Sequence, residues 1–409
     1  MLNQSGSSLM QAGRAALAMV ALAACSDHPT AATLSAWSND AGGRAAVVAD
    51  VSPSSVGWQQ LARSLIAANN MSPLAAARML SALGIAQYRG VSAVDSPDRD
   101  GVVPANGIAS GGRSALEAQR GAVAGASAVV LGFFFPAATA ALEERVKAEG
   151  NSTSGETHPQ FVRGLELGRG TGDDIVARVK TDKFTTPWTG TVPTGPGMWI
   201  ANGPPAGATF GGVTPWVMTS GSQFRPAPPP AFDSPAFLAD LAEVVSLAQN
   251  RTGEQQANAL FWNFPTGTHT PVGYWNETAA GYVTSYGLDE RAATRTFALT
   301  NAAIMDALIG CWDAKYFYWT LRPSQATAGI PLSFGLPNHP SYPSGHSCAS
   351  AAAGTVLGHL FPDRAAQLDA RVSDAGLSRI HAGIHYRFDI DAGEAIGASV
   401  ARLVLRTGF

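Results

Sequence analysis

Cysteine is scarce in this 409-residue chain: three thiols build no disulfide framework, and no Cys/His cluster has the spacing of a zinc site. Charge is scarce too. Only 14% of residues are ionised, and 27 basic against 30 acidic side chains leave a net charge of -3, so no global field draws in a nucleic acid or an acidic surface. Any anion site must therefore be a local concentration of cations. Stretches of strand-type alternation are missing, as are a long-period internal repeat and a calcium-binding loop. What the chain has instead is apolar bulk, 46% of its residues, enough for a sizeable core.

Arg14 precedes an Ala-rich apolar run, 15–24, too short for a permanent membrane helix, so residues 1–24 read as an export signal. Leu22-Ala23-Ala24-Cys25 resembles a bacterial lipobox, which predicts Cys25 as the lipidated first residue of a periplasmic or membrane-anchored lipoprotein. An ordinary signal peptide cut after a small residue is the alternative. Membrane contact is expected only through that N-terminal lipid. Residues 25–57 lack a period and read as a flexible tether, with a single domain over 58–409 beginning near Trp58. Cys311 and Cys348 either pair in an oxidising compartment or stay as two buried, unpaired thiols, the reading two isolated cysteines favour.

Helical periodicity runs through most of that domain. Ala76, Met79, Leu80, Leu83 and Ile85 recur at helical spacing over 73–94, and after a Gly/Asp/Pro-rich loop at 96–112 a long helix is predicted over 114–149, interrupted at Pro136. Residues 155–182 carry an amphipathic pattern weakened by Gly168, Gly170 and Gly172. The segment 183–235 differs in kind: repeated Pro and Gly, interleaved with Trp188, Met198, Trp199, Phe210 and Trp216, predict an irregular stretch pinned by aromatics. Helices return at 235–250, 252–264, 271–283, 287–321, 345–360, 364–382 and 389–406, so the predicted fold is an all-α bundle.

Three short segments near the C-terminus carry chemistry. Lys315 and Arg322 lie seven residues apart, on one face if the helix over 287–321 is continuous, and Pro323 is expected to stop it. Such a pair is ordinarily solvated, but Phe317, Tyr318, Trp319 and Leu321 on the same turns argue for burial and hence for an anionic partner. Pro343-Ser344-Gly345-His346 reads as a loop entering a helix, where Ser344 caps, Gly345 lets the backbone approach closely and the helix start favours negative charge. Alone it is a weak pattern. Arg379 and His385, six apart, would point about 120° away from each other on one helix, so a break near Gly383 is predicted to bring both into one pocket. Asp389, four residues past His385, can accept from one ring nitrogen and leave the other free; a surface His-Asp pair is the alternative, which leaves the two upstream segments unexplained. Three cations and two imidazoles around one cavity suit a tetrahedral oxyanion.

Together, Lys315-x6-Arg322-Pro323, Pro343-Ser344-Gly345-His346 and Ser378-Arg379-x5-His385-x3-Asp389 resemble the three-part signature of the superfamily joining type 2 phosphatidic acid phosphatases and vanadium-dependent haloperoxidases. Trp312-x-x-Lys315 resembles the haloperoxidase form of the first part, and Gly197-Met198-Trp199, Phe224-Arg225-Pro226, Ala259-Leu260-Phe261-Trp262 and Tyr274-Trp275-Asn276 resemble segments of bacterial haloperoxidase-like proteins. The resemblance implies a helical bundle of the acid phosphatase/haloperoxidase type with its signature core at 287–406. It implies vanadate as cofactor, with phosphate able to occupy the same site, held by Lys315, Arg322, Ser344, Gly345 and Arg379. His385 would bond vanadium, Asp389 would set its tautomer, His346 would act as acid/base and Lys315 would polarise peroxide. His339, with Trp312, marks a halide site and points to bromide or iodide over chloride. The implied activity is oxidation of halide by hydrogen peroxide. The same pocket suits a phosphate ester, with His385 attacking phosphorus to give a phosphohistidine, and that alternative stays open. A non-catalytic lipoprotein on this scaffold fits poorly, because no signature residue is missing.

Overall fold

The structure, a computed structural model, describes residues 52–95, 112–151 and 157–407. The predicted export signal, Cys25, the tether up to residue 51 and the loop at 96–111 lie outside the described residues. Among the described residues thirteen α-helices follow in chain order: α1 (Ser54–Ala68), α2 (Pro73–Asp95), α3 (Gly112–Phe134), α4 (Thr139–Gly150), α5 (Pro159–Lys180), α6 (Pro235–Gln249), α7 (Gly253–Phe261), α8 (Thr270–Ser285), α9 (Glu290–Tyr318), α10 (Pro323–Ala326), α11 (Gly345–Leu360), α12 (Ala365–His381) and α13 (Arg387–Thr407). No strand occurs among the described residues, only an isolated bridge between Met198 and Thr320, so the fold is all-α.

Helix α9 is the central element. Every residue from 296 to 312 is buried, as befits a helix apolar on all sides. Helix α2 packs along it and carries α3 and α5; α11 and α13 also pack along it, with α12 on α11. Its first turn organises the chain's start as well, since the buried carboxylate of Glu290 accepts the N–H groups of Ser54 and Ser55 at 2.7 and 2.9 Å. That carboxylate satisfies the first donors of α1, which Pro53 cannot cap, and residues 54–57, expected in the tether, are helical.

The interruption predicted at Pro136 is present: α3 ends at Phe134, a 3-10 turn spans Pro136–Ala138, and α4 starts at Thr139. The segment 183–235 is irregular apart from two 3-10 turns, and α9 fixes it with polar side chains as much as aromatic ones. Buried Asp306 accepts the N–H groups of Trp216, Val217 and Met218 at 2.8, 2.8 and 2.9 Å, and Asp313 binds Arg225 through two bonds.

Two expectations need correction. Helix α9 stops at Tyr318, well short of residue 321 and of Pro323, because Trp319 turns left-handed at φ 54° and the chain then pairs with another segment. Trp199 donates its N–H to the Trp319 carbonyl at 2.7 Å, and Leu321 donates to the Gly197 carbonyl at 3.0 Å. The glycines of α5 are the second case. Gly121 and Gly125 on α3 face Gly164 and Gly168 on α5 so closely that an added Cβ would fall between 1.9 and 2.3 Å from carbonyl oxygens of the facing helix. Gly168 is thus a packing position in the most extensive helix pairing of the fold. Gly170 on the same helix faces open space.

Opposite effects are therefore expected from one chemical change. Gly164→Ala should lower unfolding stability by about 1–3 kcal/mol through overpacking, whereas Gly170→Ala should raise it by up to about 1 kcal/mol through helix propensity. Urea unfolding followed by circular dichroism measures both, and equal effects would contradict the close helix crossing.

Candidate active site

The C-terminal end of α9, the segment 319–344, the start of α11 and the junction of α12 with α13 converge on one buried pocket. Lys315, in the last turn of α9, is fully buried. Its ammonium donates to the carbonyls of Pro340 at 2.9 Å, Ser341 at 2.8 Å and Pro343. Burial pulls its pKa down to about 8. Arg322 does not share a helical face with Lys315; it stands four residues beyond α9, at the N-cap of α10, where the left-handed turn at Trp319 and the stretch after it carry it to the site. Its guanidinium donates to the Ile384 carbonyl at 2.7 Å, to Nε2 of His385 at 2.9 Å and to the His339 carbonyl at 3.2 Å. Burial lowers its pKa to about 10.

Arg379 lies in the last turn of α12 and is 2% exposed. Nε donates to Ser378 Oγ at 2.9 Å, Nη2 to the Ala259 carbonyl at 3.2 Å, and the Phe334 ring lies 5.2 Å from the guanidinium carbon. Burial first, then the Arg322 charge, brings its pKa to about 9. The predicted break follows directly: α12 ends at His381, Gly383 takes φ 79°, and Ile384 closes the helix by donating to the Arg379 carbonyl at 3.1 Å.

His385 then points into the same pocket. Arg322 can only donate, so Nε2 of His385 is the acceptor and Nδ1 carries the proton, which goes to Asp389 Oδ2 at 2.7 Å. Asp389, in the first turn of α13, also accepts from Ser341 Oγ at 2.6 Å and from the Tyr386 N–H at 3.0 Å. Burial pushes its carboxyl up to about 6, while burial and the Arg322 charge hold the His385 imidazole well below its ordinary value. The ring is neutral at neutral pH, with its Nε2 lone pair turned to the cations.

Ser344 caps α11, accepting the Ser347 N–H at 3.3 Å, and Gly345 opens that helix under Trp312, whose ring a Cβ would meet at 3.0 Å. Ser347 and Cys348 are thus satisfied by Ser344, and the N–H groups of Gly345 and His346, which open α11 without an acceptor inside the helix, can donate to an anion. Half-buried His346 donates from Nε2 to the Trp262 carbonyl at 2.8 Å, which leaves the lone pair on Nδ1. Burial, followed by the Arg379 charge, holds its pKa well below the ordinary histidine value. His339 stacks obliquely on Trp312 with ring centroids 5.1 Å apart, and Lys315 Nζ lies 5.6 Å from the same indole. Hydrogen bonds, ring contacts and mutual electrostatic influence thus bring all ten candidate residues into one cluster. Cys311 and Cys348 lie behind it, buried and unpaired.

Several groups of the site carried no motif signal. Ser341 steadies Asp389, and the main-chain carbonyls of Ala259, Trp262, Pro340 and Ile384 orient the cations and His346. A carbonyl leaves no mark on the residue type, so only the position of the 259–262 and 340–344 segments in the fold reveals it. The charge balance is the decisive property. Lys315, Arg322 and Arg379 are buried against a single buried carboxylate, Asp389, and burying an uncompensated charge is costly. An oxyanion carrying two or more negative charges supplies what is missing, so the donor set fits vanadate or phosphate.

Residues 295–409 match the model of the PAP2 superfamily. The non-specific acid phosphatase of Salmonella typhimurium is 33% identical over 104 residues, which cover 24% of this chain and 42% of that protein. The match thus spans less than half the length of that relative. The corresponding phosphatase of Providencia stuartii is 28% identical over 186 residues, 42% of this chain and 68% of that protein. Among solved structures, a bacterial vanadium-dependent iodoperoxidase superposes with a TM-score of 0.71 at 22% identity, covering 86% of this chain and 95% of its own. A holo-type bacterial vanadium-dependent chloroperoxidase reaches 0.62 at 15% identity, covering 84% and 95%. The C-terminal part of the chain carries the PAP2 superfamily pattern, and the fold is that of the vanadium haloperoxidases.

The Lys315 charge yields a pH dependence. Sulfate keeps its charge over the neutral to alkaline range, so its affinity should change little between about pH 7 and 8 and fall by up to about tenfold per unit above that, as Lys315 loses its proton in the free protein. Titration calorimetry checks this. Lys315→Met should bind weakly and without that inflection, and a pH-independent wild type would contradict the assignment.

Proposed function

We propose that this protein is a vanadate-dependent haloperoxidase that oxidises halide with hydrogen peroxide, acting on bromide or iodide in preference to chloride. The observation that carries the reading is the extent of the structural likeness: it spans 86% of the chain with the iodoperoxidase, whereas the sequence matches to the Salmonella and Providencia phosphatases span 24% and 42% of it. Vanadate, when bound, supplies a Lewis acid that activates peroxide toward halide without changing its own oxidation state.

The chain's own residues do the rest. Lys315, Arg322 and Arg379 neutralise the oxyanion, and the opening N–H groups of α11 add donors from the side of Gly345 and His346. His385 offers Nε2 as the ligand: Asp389 keeps the proton on Nδ1, so the Nε2 lone pair is unprotonated, and the Arg322 guanidinium that it accepts from here would turn to the bound oxyanion. His346 takes or returns a proton at Nδ1, its ring held by the Trp262 carbonyl. His339 and Trp312 border the pocket where halide would approach. Export by the N-terminal signal, with or without lipid on Cys25, belongs to the same proposal.

Halogenation of a dione reporter with peroxide, measured with and without added vanadate, tests the reading beside release of nitrophenol from its phosphate ester. The expected result is a vanadate-dependent signal in the first and little in the second. Efficient ester hydrolysis with no vanadate-dependent halogenation selects the phosphohistidine alternative. His346→Ala should lower kcat by about 100-fold or more with little change in the unfolding midpoint; unchanged turnover would remove His346 from the mechanism.

A further inference from the structure

Next to the oxyanion pocket, one face of α9 and the irregular segment enclose an open cavity of about 500 Å³. Trp312 belongs to both sites: it lines this cavity, while its ring also lies against His339 and Gly345. Tyr316 and Phe317 continue the aromatic floor along the helix, and Phe317 is 57% exposed, so its ring is accessible to a ligand. The guanidinium of Arg225 lies 3.8 Å from the centre of that ring and is bound to Asp313 at 2.7 and 2.9 Å, so these two charges cancel. Lys183 stands at the rim. Its neighbour Asp182 is committed to Arg78 at 2.6 Å, which leaves the Lys183 ammonium as the net charge of the cavity. Lys183 also has φ 70°, a left-handed conformation that side chains seldom adopt. A tight turn holds it there, with Phe184 donating its N–H to Asp182 at 2.9 Å and Thr186 donating to the Lys183 carbonyl at 3.1 Å.

An aromatic floor, one net positive charge and a wall shared with the reaction site define the ligand's chemistry. We infer that this cavity binds a monoanionic arene, a phenol bearing a carboxylate, as the organic acceptor of the oxidised halogen. The acceptor role rests on the haloperoxidase reading. In that role hypohalous acid loses its O–halogen bond as a ring carbon forms the new carbon–halogen bond, and the displaced ring proton leaves with the hydroxide as water. Electron-rich rings are the substrates such an electrophile selects, and the rings of the floor offer a stacking surface for them.

Binding is measured by titration calorimetry on the full chain without vanadate, halide or peroxide, using para-hydroxybenzoate and its uncharged methyl ester. Gly212 lines the cavity and a Cβ there meets no atom within 4 Å, so Gly212→Leu adds bulk at the cavity wall with no backbone clash at its Cβ. Lys183→Gln removes the rim charge. The acid should bind one per chain and the ester at least about threefold more weakly. Lys183→Gln should bring the acid to the level of the ester, and Gly212→Leu should abolish both with a near wild-type melting temperature. No binding of the acid, or equal binding in Gly212→Leu, overturns the site; equal affinity for acid and ester overturns its anion selectivity. Failure here leaves the haloperoxidase reading standing, and loss of halide oxidation with binding intact counts against that reading alone.

Discussion

Buried cations held by neutral acceptors are the constraint on which this structure depends. Lys315 bonds to three main-chain carbonyls, Arg322 to those of Ile384 and His339, and Arg379 to a carbonyl and a hydroxyl. A carbonyl orients a cation without cancelling it. The one buried carboxylate of the site, Asp389, is given to His385, Ser341 and a backbone N–H, and none of the three cations pairs with it directly. Positive charge is thereby concentrated in the interior and reserved for a ligand, in a chain whose overall charge is slightly negative.

Holding such a pocket requires a rigid frame, and α9 supplies it. It buries all its faces at the centre, presents Lys315 and Trp312 to the site, and uses Asp306 and Asp313 to fasten the irregular segment over its end. That segment in turn ends the helix early, because Gly197 and Trp199 capture the backbone of 319–321. Away from the site, the glycine-lined crossing of α3 and α5 lets those helices approach at backbone distance. The irregular segment also walls the second cavity, and Trp312 lines that cavity while its ring lies against His339 of the oxyanion site.

Much of this was legible in the sequence, and the gaps have physical reasons. Helix positions followed from apolar periodicity, and α11 begins at Gly345 and ends at Leu360 as expected because Ser344 caps it. Gly383 announced its own break, since only a residue without Cβ takes φ 79° easily. The end of α9 was not readable, because the pairing partner of Trp319 lies over a hundred residues away and no local signal names it. Gly168 showed in the sequence only as a weak point of its helix, because the packing role that it shares with Gly121, Gly125 and Gly164 depends on which helix faces which. Within the site, charged and imidazole side chains stood out, whereas Ser341 and the carbonyls of Ala259 and Trp262 did not: peptide groups look alike in every residue until the fold aims them.

Soaking crystals of the protein with vanadate gives the most direct test of the reserved-charge pocket. One vanadate per chain is predicted, lying among Lys315, Arg322 and Arg379 with Nε2 of His385 at bonding distance to the metal. Vanadate found only on the surface, or these three cations seen neutralised by carboxylates, would contradict it.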